Sequence, residues 1–174
     1  MKRSDIKTMP ESQTTNIHEV EDVEVTEALE KYGRKYISLE REKLIALGDK
    51  VYAPGKWSAK DIIQHLIDAE RVFSYRAMRF ARNDKTLLPG FEENDYAITA
   101  EASKRNVDEL LEEFYAVRES TIRLFKSFTD EMLMREGVVP SGDISVLAIG
   151  FTIPGHTIHH LNVLKERYYP LLSK

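Results

Sequence analysis

The chain contains no cysteine. Disulfide frameworks, thiolate zinc sites and iron–sulfur clusters are therefore excluded, and any thiol in its chemistry must come from outside. No apolar run approaches the ~18 residues that span a bilayer. The opening Met1-Lys2-Arg3-Ser4-Asp5 lacks the apolar core of a secretory signal. An excess of basic charge is also missing. Lys and Arg number 25 against 29 Asp and Glu, for a net charge of −4. That balance disfavours a broad phosphate-binding surface, and with it nucleic acid as a partner. Together these absences predict a cytoplasmic protein with neither membrane nor nucleic acid as its partner.

What is present is ordinary globular material: 174 residues, 42% hydrophobic and 31% charged, enough for one buried core. Residues 1–22 are polar and poorly periodic, which predicts a mobile or loosely docked N-terminal arm ahead of a domain over residues 23–174. From Thr26 to Leu47 a helical pattern runs through Leu29, Tyr32, Tyr36, Leu39, Leu44 and Leu47. Ser58, followed three residues later by Asp61, resembles a capping box and predicts a second helix over 59–82. Asn83-Asp84 and Pro89-Gly90 then open a long loop to about Ser103. A third helix is expected from Asn106 to Phe128, a short turn of helix over 131–135, and a last helix capped by Ser145 that runs to Tyr168. Gly137, Pro140 and Gly142 read as chain breakers. Four long helices with almost no strand signal predict an all-α four-helix bundle, its second and third helices joined by a long crossover loop.

Three of the five histidines fall within Gly155-His156-Thr157-Ile158-His159-His160. Each helical residue turns about 100°, so His156 and His160 lie about 40° apart on one face, among Ile149, Ile153, Val163 and Leu164. His159 falls towards the edge of that face. His65 lies beside the Ile62, Leu66 and Phe73 stripe of the second helix. Two imidazoles from one helix and one from a facing helix form a three-nitrogen set for one divalent ion, Zn or Ni first and Fe, Co or Mn after them. Spacing alone leaves a second reading open, in which these are core histidines hydrogen-bonded to backbone. Glu-x-x-His and His-Glu-x-x-His are both absent, which removes the carboxylate-rich di-iron bundle and the zinc protease.

Pro54-Gly55-Lys56-Trp57-Ser58, the segment from Asp61 to Arg71 with its His65-Leu66-Ile67-Asp68-Ala69-Glu70, and the closing Gly155-His156-Thr157-Ile158-His159-His160-Leu161 together resemble the DinB/YfiT-like family. The resemblance covers roughly residues 26–170. It implies an up-down-down-up four-helix bundle, often dimeric, with a metal on His65, His156 and His160. It also implies a metal-dependent hydrolase, or a transferase that joins low-molecular-weight thiols to electrophiles. Many relatives continue the last motif with Gly-Gln, where this chain has Leu161-Asn162. A non-catalytic metal-binding or stress-response module is the competing reading.

Other residues carry weaker expectations. Trp57 reads as a packing anchor before a substrate contact. Asp68 and Glu70 are candidate acceptors for a ligand imidazole, with a solvated or ion-paired role as the simpler account. Arg71, Arg76, Arg79 and Arg82 are expected to pair with acidic neighbours, with a clamp for a thiol substrate's carboxylate as the alternative. Tyr52 and Tyr96 are candidates for a pocket mouth. A homodimer is expected because Leu147, Phe151, Ile158 and Leu161 point away from His156 and His160.

Overall fold

The computed structural model describes residues 1–173. Helices dominate it: α1 (Glu11–His18), α2 (Val25–Lys31), α3 (Arg34–Ser38), α4 (Arg41–Leu47), α5 (Ala59–Ala81), α6 (Glu93–Ala100), α7 (Val107–Lys126), α8 (Asp130–Leu133) and α9 (Val146–Val163). Strands β1 (Glu136–Val139) and β2 (Gly142–Ser145) form one antiparallel hairpin. Helices α5, α7 and α9 are the long members of the bundle, and α2 to α4 together occupy the place of the first helix.

The starts of the long helices follow their caps. The Ser58 side chain accepts from the Asp61 amide while the Asp61 carboxylate accepts from the Ser58 amide at 2.8 Å, a complete capping box. Asn106 and Glu109 do the same for α7, and Ser145 caps α9.

The continuous helix expected over 26–47 is broken twice, at Tyr32-Gly33 and at Leu39-Glu40. A side chain from α7 stabilises the first break. Arg118 donates to the carbonyls of Leu29 at 3.2 Å and Tyr32 at 2.7 Å, supplying donors that a continuing helix would have supplied. The second break falls where the apolar spacing stretches to five residues, between Leu39 and Leu44, and it turns Leu39 out to solvent.

Gly137 and Gly142, expected to interrupt the chain, build the hairpin instead. Gly142 takes φ +122°, and a Cβ on Gly137 would lie 2.1 Å from the Phe80 ring. The long loop after α5 is also partly helical, because it contains α6 and a short 3₁₀ turn over Ala102–Lys104.

Residues 1–22, expected as a mobile or loosely docked arm, pack into the core. Ile17 and Val20 are 0% and 1% exposed. Both the amide and the hydroxyl of Ser145 donate to the Thr8 carbonyl at 3.1 Å. Where α1 crosses α9 the backbones nearly touch: a Cβ on Gly155 would lie 2.1 Å from the Asn16 carbonyl oxygen. Polar composition hid this docking, which rests on Ile17 and Val20, on Met1, Ile6 and Met9 packed against the core, and on the close approach at Gly155. The surplus apolar face that motivates a homodimer is consumed the same way, because Leu147, Phe151, Ile158 and Leu161 are all buried within the chain.

Candidate metal centre

Helix α5 begins at the Ser58 cap and carries His65 two turns in; α9 presents His156 and His160 one turn apart. The three side chains meet. The Nε2 atoms of His65 and His156 are 3.0 Å apart, as are those of His160 and His156, and among the three residues ligand nitrogens lie within 4.8 Å of one another. His159, on the same helix, is exposed and stays outside the cluster, its ring 5.1 Å from that of His160.

This contact cannot be satisfied by protons alone. A neutral imidazole Nε2 carries either one hydrogen or one lone pair, so His156 can pair with only one of its two neighbours. The other neighbour competes for that one hydrogen or lone pair. Protonation does not relieve the strain, because burial holds the His65 imidazole down at about 4 and His160 down at about 3. His156 is pushed well below the ordinary range by burial, reinforced by repulsion from His160, His65 and His159. Three neutral imidazoles with converging nitrogens are a donor set that fits a borderline divalent cation.

Aromatic walls orient the rings. Trp57, the residue before the α5 cap, packs its indole 4.8 Å from the His65 ring and 6.5 Å from that of His160. Its carbonyl accepts a 2.6 Å hydrogen bond from Tyr168, which sits in the wide π-helical turn Leu164–Tyr168 after α9. The entry of one ligand helix is thereby tied to the exit of the other. Phe73 meets the His156 ring edge-on at 5.8 Å. Trp57 is thus both a packing anchor and a wall of the site.

Beside His160 opens a cavity of about 220 Å³, bounded by Tyr52, Lys56, Trp57, Ile62, Asn94 and Tyr168 among others. Sequence reasoning placed Tyr52 at this mouth and missed Lys56 and Asn94; Lys56 lies within the Pro54–Ser58 motif, whereas nothing in the pattern around α6 signals Asn94. Tyr96 lines a different cavity.

The carboxylates near the site do not steady it. Asp68 accepts from Gln64 at 3.1 Å and makes no hydrogen bond to His65, and burial raises its carboxyl above the usual range. Glu70 turns away and receives Arg118 at two 2.9 Å contacts. Of the α5 arginines, Arg71 pairs with Glu113 at 2.7 Å and Arg79 pairs with Asp84. Arg76 donates instead to the Pro89 carbonyl, and Arg82 reaches the Met132 sulfur.

Comparison with known proteins agrees with this architecture. The chain is similar to YfiT from Bacillus subtilis, described as a probable metal-dependent hydrolase with an unusual four-helix bundle topology. Identity is 16%, the TM-score is 0.67, and the match covers 95% of this chain and 90% of that one. It is also similar to the mycothiol-dependent maleylpyruvate isomerase, at 14% identity and a TM-score of 0.58, over 83% of this chain and 61% of that one. No curated protein matches at the level of sequence. The fold these structures share accords with a sequence profile that matches residues 8–164, and the chain belongs to the DinB superfamily.

Proposed function

We propose that His65, His156 and His160 hold one divalent ion, Zn or Ni first, and that the protein is a metal-dependent enzyme transferring a small external thiol to an electrophile. The observation that carries this reading is the convergence of three uncharged ring nitrogens beside a small-molecule cavity. A bound divalent ion supplies, with three neutral ligands, its full +2 charge to favour an ionised nucleophile.

The chain's own residues do the rest. Trp57 and Phe73 hold the imidazoles in place and keep bulk water from their faces. Ile62 and Val163 offer an apolar wall to the substrate, and Lys56 and Asn94 offer polar contacts at the mouth. Among the described residues no carboxylate lines this cavity; those on the adjoining cavity past Lys56 and Asn94 are Asp61, engaged by Ser58, and Glu101. A thiol, with an ordinary pKa of ~8.5, needs far less help to ionise than water at ~15.7. That difference favours thiol transfer over hydrolysis, the activity given as probable for YfiT. The up-down-down-up helix order and a cytoplasmic location belong to the same reading.

The test uses protein produced without a histidine tag, assayed for metal and then screened with low-molecular-weight thiols against electrophiles. Turnover is expected only when metal and thiol are both present, rising with pH as the thiol ionises. Hydrolysis with no thiol added would shift the reading to water as nucleophile. A metal-loaded protein inert to both panels would leave the binding-module reading.

A further inference from the structure

A second cavity, of about 320 Å³, lies between α5 and the segment that follows it. It sits at the lower end of the ~300–1,000 Å³ range of small-molecule sites. It shares no lining residue with the cavity at His160. Its walls are mostly apolar and aromatic: Tyr75 on α5, Leu88 and Phe91 on the following segment, and Tyr96 on α6. The Phe91 and Tyr96 rings pack 5.1 Å apart. Arg79 lies over one face of the Tyr75 ring, 5.4 Å from its centroid, yet Tyr75 and Tyr96 remain 49% and 45% exposed, which leaves aromatic surface open on both walls.

Two arginines line this cavity, and they are in different states. Arg71 is occupied by Glu113 at 2.7 Å and Asp68 at 3.6 Å. Arg76 spends one Nη2 hydrogen on the Pro89 carbonyl at 2.8 Å and forms no ion pair among the described residues. Burial alone lowers its guanidinium below the ordinary arginine range, with no carboxylate near enough to oppose it. No acidic residue lines the cavity. A half-buried cation without a counter-ion is costly, and its planar fork matches a carboxylate.

We propose that this cavity binds a small aromatic monocarboxylate, its carboxylate on Arg76 and its ring among Tyr75, Phe91 and Tyr96. A cationic ligand is excluded by Arg76. A neutral one leaves the cation unpaired. A dianion such as a phosphate monoester lacks a second free cation, because Arg71 is already engaged. The site is independent of the histidine cluster, so it stands or falls separately from the metal.

The test is calorimetric titration of the full chain with 2-naphthoate and with its neutral carboxamide, before and after chelation of metal. The naphthoate is expected to bind at least tenfold more tightly than the amide, equally well in metal-free protein. Arg76→Met should bring the two ligands to parity while keeping the helical circular dichroism. Amide chemical-shift changes in the wild-type chain should centre on residues 75–76 and 88–96, a readout that does not depend on the variant folding. Equal binding of acid and amide by the wild type would overturn the proposal. So would a preference that survives Arg76→Met, one that vanishes on chelation, or shifts centred on residues 156–160.

Discussion

Two polar clusters cross the interface between α5 and α9, and on α9 they are adjacent residues. Thr157 belongs to one and His156 to the other. In the first, Arg118 and Glu70 are 2% and 3% exposed, and Arg118 gives contacts to both Glu70 oxygens, to Thr157 Oγ1 and to the Leu29 and Tyr32 carbonyls. Those five contacts match the five N–H donors of a guanidinium. In the second, the single hydrogen or lone pair of His156 Nε2 faces two imidazole neighbours. The satisfied cluster ties four parts of the chain together and asks for nothing more. The second has the geometry that the proposed ion would complete. Burial and polarity alone do not separate the two clusters; the chemistry of the contacts does, a cation on a carboxylate in one and three neutral imidazoles in the other.

Among single substitutions, the largest effect that sharpens this contrast is expected from the satisfied cluster. Arg118→Ala strands a buried carboxylate and frees two carbonyls, and should cost about 3–5 kcal/mol in urea unfolding. Replacing both partners at once, Arg118→Met with Glu70→Leu, should cost less than that single change. If the single variant lost under ~1 kcal/mol, the cluster would not be the tie described. Next in size is Gly155→Ala, which drives a methyl into the Asn16 carbonyl beside His156. About 1–3 kcal/mol is expected, with faster hydrogen exchange over residues 11–20. Unchanged exchange there would show that α1 docks by other contacts.

A pH-dependent effect, read without any substitution, belongs to the histidine cluster in metal-free protein. Its histidines titrate at about 4 for His65 and about 3 for His160 when folded, against an ordinary 6.5. Below pH ~6.5 the unfolded chain therefore takes up protons that the folded chain refuses. Stability is complete above that pH and falls as the solution is acidified towards 4, by about 1 kcal/mol per pH unit for each histidine. A stability profile flat from pH 7 to 5 in the metal-free protein would contradict the burial of neutral imidazoles.

Sequence periodicity reaches the long helices and the histidine face because both follow local rules. Ser58 with Asp61, Asn106 with Glu109, and the four-residue step from His156 to His160 are written within single turns. What it misses depends on partners distant in sequence. Nothing in the local sequence of α7 marks Arg118, yet it meets Glu70 and holds open the break at Tyr32-Gly33. The arm docks because Asn16 finds a residue without a side chain 139 positions away, at Gly155. The α5 pattern predicts an acidic partner for Arg76 as for its neighbours, and the fold places none on it among the described residues.

The central claim is that His65, His156 and His160 form one metal site and that His159 stands outside it. Elemental analysis of untagged wild type, His160→Ala and His159→Ala, each loaded with zinc and dialysed together, tests it most directly. The account predicts about one ion per chain in the wild type and in His159→Ala, and none retained in His160→Ala. Metal kept by His160→Ala and lost from His159→Ala would contradict it.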